Sequence, residues 1–159
     1  MKIKTPVILA ILAGATAALV GCGDSGPKLY PVKGTVRVDG KPASDAIVFL
    51  HRKGRDNPNE PVPHGTCGAD GTFQLTSVKA GDGAQAGEYV VTVVWPDMSK
   101  APDGNGGRPD LLKGAYEKAA SSAIKATVEA KENQLPEIAL TAPKQPAPKQ
   151  PAPGIKTDK

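Results

Sequence analysis

The sequence predicts an all-β sandwich of about seven short strands, and three observations carry that expectation. Apolar and polar residues alternate at a period of two in several short runs, the spacing of strands with one buried face. Asp-Gly pairs at 39–40 and 70–71 supply the positive φ that tight turns need. Between Tyr30 and Thr141, turn-forming residues recur at roughly the 8–12-residue interval of a sandwich.

The elements follow in order. Val32, Gly34, Val36 and Val38 alternate with Lys33, Thr35, Arg37 and Asp39, a half-buried strand that Asp39-Gly40 closes. Ala46 to Leu50 is apolar on both faces and reads as an interior strand. Charges and the prolines Pro58, Pro61 and Pro63 make 52–63 a loop. His64 to Gly68 is a short strand, and Ala69-Asp70-Gly71 turns into Thr72 to Thr76, where Phe73 and Leu75 share a face. Residues 81–87 read as a Gly-rich loop. Glu88 to Trp95 is the strongest strand: Tyr89, Val91, Val93 and Trp95 take one face, Val90, Thr92 and Val94 the other, and Pro96 ends it. A Gly/Pro/Asp loop spans 97–108, and Pro109 to Ser122 is expected to hold a short helix through Leu111, Leu112 and Tyr116. Ile124, Ala126 and Val128 mark another strand, Glu132-Asn133 turns the chain, and Leu135 to Leu140 is the last strand, with Ile138 and Leu140 inward.

The flanks differ in kind. Lys2 and Lys4 precede the apolar run Val7 to Val20, whose 14 residues suit a signal h-region and are short for a bilayer span. The run ends in Leu19-Val20-Gly21-Cys22, which resembles the lipobox of bacterial lipoproteins. That resemblance implies a signal peptide at 1–21 and lipidation of Cys22, whose thiol would carry the diacylglyceryl thioether. Residues 22–29 then form a lipidated tether, 30–141 the β-domain, and 142–159 a disordered Pro/Lys/Gln-rich tail in which Pro-Lys-Gln-Pro-Ala at 143–147 recurs at 148–152. Gly23, rather than the Asp that retains some lipoproteins at the inner membrane, favours the outer membrane over the inner. Removing 1–21 takes two lysines from the 20 basic side chains and leaves 18 against 16 acidic ones. The charges are scattered, with no basic stripe interleaved with aromatics, so no nucleic acid is expected as a partner.

Within the domain, Val32-Lys33-Gly34-Thr35-Val36, Asp39-Gly40-Lys41-Pro42 and Ala46-Ile47-Val48-Phe49 resemble the opening of carboxypeptidase regulatory-like (transthyretin-like) domains. So do Gly65 to Leu75 and Gly87-Glu88-Tyr89-Val90-Val91-Thr92-Val93. The resemblance implies a prealbumin-like Greek-key sandwich over 30–141 and brings no shared catalytic residues. A related group of hydroxyisourate hydrolases on the transthyretin fold ends in Tyr-Arg-Gly-Ser, which this chain lacks.

Candidate chemistry is sparse. His51 and His64 are the only histidines and stand as weak metal-ligand candidates with Cys67 and Asp70 nearby, at a spacing that matches no zinc pattern. His64 and Cys67, three apart, face opposite sides of a regular strand. With Cys22 lipidated, Cys67 is left alone and reads as a small buried apolar side chain. Asp82, Asp97, Asp103 and Asp110 lie in or beside Gly-rich loops without the spacing of a calcium loop. The expectation is therefore a non-enzymatic binding or structural module, without catalytic residues or cofactors, at the cell envelope. Its partners are the membrane, through the lipid anchor, and an envelope protein or polysaccharide. The alternative is a small envelope hydrolase or metal-dependent enzyme using His51 and His64.

Overall fold

A computed structural model describes residues 26–54 and 60–144. The expected signal peptide, Cys22 and most of the repeat-bearing tail lie outside these residues. Among the described residues eleven strands are found in chain order: β1 (Leu29–Tyr30), β2 (Val32–Val38), β3 (Lys41–Pro42), β4 (Ile47–Arg52), β5 (His64–Thr66), β6 (Thr72–Gln74), β7 (Ala84–Gln85), β8 (Gly87–Val94), β9 (Lys125–Val128), β10 (Asn133–Gln134) and β11 (Ile138–Leu140). Seven have three or more residues, as expected; the other four are two-residue ladders that no periodicity can announce. Among the described residues no helix is long and apolar enough to cross a membrane.

β2 is the axis of a five-stranded sheet. Successive residues of a strand direct their backbone groups to opposite edges. Accordingly, Pro31 and Lys33 bond Asn133 and Leu135 on one edge, while Val32 and Val36 bond Leu75, Gly71 and Ala43 on the other. β10 and β11 run parallel to β2 on the first edge. β6 and β3 run antiparallel on the second. The β2–β3 hairpin closes through Asp39 (φ 50) and Gly40 (φ 77), the pair of positive φ values that matches strand twist. On the inward face, the Phe73 ring lies across Gly34: a Cβ there would come within 2.5 Å of it, so the glycine makes room for the aromatic.

The opposing sheet has the order β5-β4-β8-β9. β4 is bonded on both edges, the interior place its two apolar faces predicted. His64 and Thr76 exchange backbone hydrogen bonds and tie β5 to the chain beyond β6, joining the two sheets at one corner. Between the sheets lie Val32, Val36, Val48, Leu50, Leu75, Tyr89, Val91 and Val93, all fully or almost fully buried. Burial of Tyr89, Val91 and Val93 follows the period read from the sequence. Trp95 is half-buried, with its indole N–H donating to the Ser44 carbonyl at 2.8 Å.

Three expectations are corrected, one of them at Glu132-Asn133, where Asn133 already belongs to β10 because Asn133–Gln134 pairs with the start of β2. Residues 109–122 are a chain of turns, not a helix. The Asp110 carboxylate accepts from the backbone N–H groups of Leu112 and Gly114, and Lys113 and Gly114 both take positive φ, so a helical ladder cannot propagate. The 81–87 loop contains β7, which pairs antiparallel with β1. Gly83 permits this at φ 85, where a Cβ would fall 1.7 Å from the Tyr30 carbonyl oxygen.

Val91→Asp, at a position 1% exposed, would bury an unpaired carboxylate. We expect a loss of roughly 3 kcal/mol or more out of a typical total of about 5–15 kcal/mol. Thermal denaturation followed by circular dichroism checks this; an unchanged Tm would remove β8 from the core.

Candidate functional site

A cleft of about 660 Å³ lies at the end of the domain where the chain enters β1. Three stretches far apart in sequence form it: 26–29, 60–63 and the turn from Ser77 to Gln85, with Tyr89 beneath. Asp82 builds the turn. Its carboxylate accepts backbone N–H groups from Ser77 (2.7 Å), Val78 (3.0 Å) and Lys79 (2.7 Å). The Ser77 hydroxyl donates to the Gly83 carbonyl, and Gly81 N–H donates to the Thr76 hydroxyl. Burial pushes the Asp82 carboxyl up, but the three N–H groups outweigh it and hold the pKa below its ordinary value. A turn pinned from inside projects its tip outward, and Val78 is 71% exposed.

The wall is a polar network. Arg52 donates to the Gln85 side-chain oxygen at 2.8 Å, and Gln85 donates to Glu60 at 2.8 Å. Arg52 and Glu60 also face each other at 3.7 Å. The Tyr89 hydroxyl donates to the Gln85 carbonyl, which satisfies the one polar atom of that buried ring. The acids of the cleft are thus engaged by the protein itself. What it offers a visitor is apolar surface from Leu29, Val78 and the prolines, and the ammonium groups of Lys28 and Lys79. Lys28 also stands 5.5 Å over the Tyr30 ring.

The sequence candidates lie elsewhere. His51 and His64 sit on the face of the four-stranded sheet that carries Phe49, whose ring centroid is 6.5 Å from one and 6.0 Å from the other. His51 Nε2 hydrogen-bonds Thr92 Oγ1 at 2.9 Å, and His64 Nδ1 donates to the Val62 carbonyl at 3.2 Å. His64 faces out and Cys67 in, as their spacing requires. Among the described residues no three His, Cys, Asp or Glu side chains gather as a metal site. Cys67 is buried, and its thiol is pushed up to about 11 by burial, then by the charges of Asp70 and Asp45. Asp97, Asp103 and Asp110 resemble Asp82 in use: each carboxylate accepts N–H groups from its own loop. Sequence reading missed the cleft because no single segment contains it. The one local signal was Asp82, five residues after Ser77, in a segment with Gly81 and Gly83.

Two measurements test this chemistry. In a Cys22→Ala chain, where Cys67 is the sole thiol, a disulfide reagent at pH 8 should react at least about 100-fold more slowly than with the denatured chain, since burial and the raised pKa both suppress the thiolate. Asp82→Ala should cost about 1 kcal/mol, the low end for lost charged hydrogen bonds at a solvent-screened site. Because the folded pKa of Asp82 is depressed, its contribution is present above the unfolded value of about 3.9 and is lost as pH falls through the folded one. Wild type and Asp82→Ala should therefore converge in urea stability as the pH is taken below about 4.

No family model and no curated protein sequence matches the chain. Among solved structures, it is similar to part of a 9R-lipoxygenase from Cyanothece at 11% identity and a TM-score of 0.41, covering 73% of this chain and 17% of that one. It is also similar to a DUF3823 family protein from Parabacteroides merdae at 14% identity and a TM-score of 0.36, covering 73% and 46%. Likenesses this weak carry no argument about what the chain does. The all-β sandwich rests on the ladders described above.

Proposed function

We propose that this chain is a lipid-anchored lipoprotein of the cell envelope whose β-sandwich is a non-enzymatic binding or structural module of the carboxypeptidase regulatory-like kind. The observation that carries the proposal is Leu19-Val20-Gly21-Cys22 at the end of a 14-residue apolar run behind Lys2 and Lys4. The motifs behind the family resemblance support the second half. Asp39-Gly40 is a hairpin turn, Gly71 has the positive φ of a second turn, and Phe73 and Tyr89 are buried packing positions. An enzymatic reading through His51 and His64 finds no support in their geometry: each imidazole packs on Phe49 and hydrogen-bonds a neighbouring oxygen.

The cleft is the ligand site this reading favours. Its apolar lining and lysines suit a ligand with an apolar body and a negative group. Cys22→Ala should leave the protein unprocessed or soluble, where the parent partitions into detergent and shows an acylated N-terminal peptide by mass spectrometry. A Cys22→Ala chain that is still processed and acylated would overturn the anchor.

A further inference from the structure

The cleft and its exposed rim lie at one pole of the domain, and the charges there are unevenly matched. Glu88 is paired with Lys53 at 3.0 Å, Glu60 with Arg52 and Gln85, and Asp82 with its own turn. Lys28 and Lys79 line the cleft without a carboxylate within ion-pair distance among the described residues. The same lining includes Leu29 and the exposed Val78. An apolar tip beside two unmatched cations is the composition of a surface that sits at a membrane interface.

Chain length fixes where that pole can be. Gly26 is part of the cleft, and Cys22 precedes it by four residues, which span at most about 14 Å fully extended. We propose that this pole docks directly on the bilayer that holds the Cys22 anchor. Val78 enters the interfacial layer, and Lys28 and Lys79 meet the phosphates of anionic lipids. The inference rests on the anchor reading above and adds to it an orientation. The opposite pole, with the Asp39-Gly40 turn and Met98, then faces away. It lies the length of β2 distant, about 23 Å for seven residues.

The acylated full-length mature protein tests this in vesicles of phosphatidylcholine with one-quarter phosphatidylglycerol. Pro61→Cys at the cleft rim, or Met98→Cys at the far pole, carries a fluorophore; Cys67 is buried and does not compete for label. Shallow doxyl-lipid quenchers should quench the label at 61 several-fold more than the label at 98. Adding Val78→Asp with Lys79→Glu should bring the two to the same low level, and pure phosphatidylcholine should weaken the difference. Equal quenching at 61 and 98 in the parent, or no effect of the double substitution, would overturn the docking. Mass analysis of the N-terminal peptide of the same sample reads the anchor separately. If Cys22 proves unacylated, the anchor reading fails, and the same labels are read on the chain held to nickel-chelating lipid by a hexahistidine tag at that position. The docking is then decided by the same comparison.

Discussion

β2 carries four ladders on two edges, with β10 and β11 on one and β6 and β3 on the other. No two of those four partners pair with each other, so the five-stranded sheet exists only while β2 is in register. Register is fixed because a slip of one residue would turn Val32, Val36 and Val38 to solvent and bring Lys33 and Arg37 inward. The Gly34–Phe73 contact adds a second lock, since only that pairing places the ring over the one residue with no side chain.

The local part of this arrangement was legible in the sequence. Period-two runs at Val32–Val38 and along β8 located both central strands, and the Asp-Gly pairs located the turns. What failed was of two physical kinds. At 109–122 the apolar spacing of Leu112 and Tyr116 imitated a helix, while Asp110 and the positive φ of Lys113 and Gly114 decided against one. At 84–85 and 133–134 the strands are two residues long and are defined by their partners, β1 and β2. The cleft was illegible for the same reason, because 26–29, 60–63 and 77–85 meet only in three dimensions.

The acidic loops share one logic. Asp70, Asp82, Asp97, Asp103 and Asp110 each accept N–H groups from residues two to fifteen positions away along the chain. A carboxylate so engaged satisfies backbone donors that no ladder can reach, which lets long connections stay ordered without helices. Asn133 does the same with an amide, closing the turn from Glu129 at the first residue of β10. The core is mostly valine and leucine, with few large rings, and the loops contribute to its closure: the Trp95 backbone N–H donates to the Asp110 carboxylate, and the Ser122 hydroxyl donates to the Val91 carbonyl.

The parallel pairing of β11 with β2 has a mechanical consequence. The polypeptide enters β1 and β2 at one pole and leaves β11 at the other, with Leu140 beside Val38. Tension applied between the two flanks pulls β2 and β11 past each other along their length. The bonds from Leu135 N–H to Lys33 O and from Asp39 N–H to Leu140 O are then loaded together in shear, instead of opening one at a time like a zipper. A domain strung between two attachments in this way resists extension until the whole ladder fails at once.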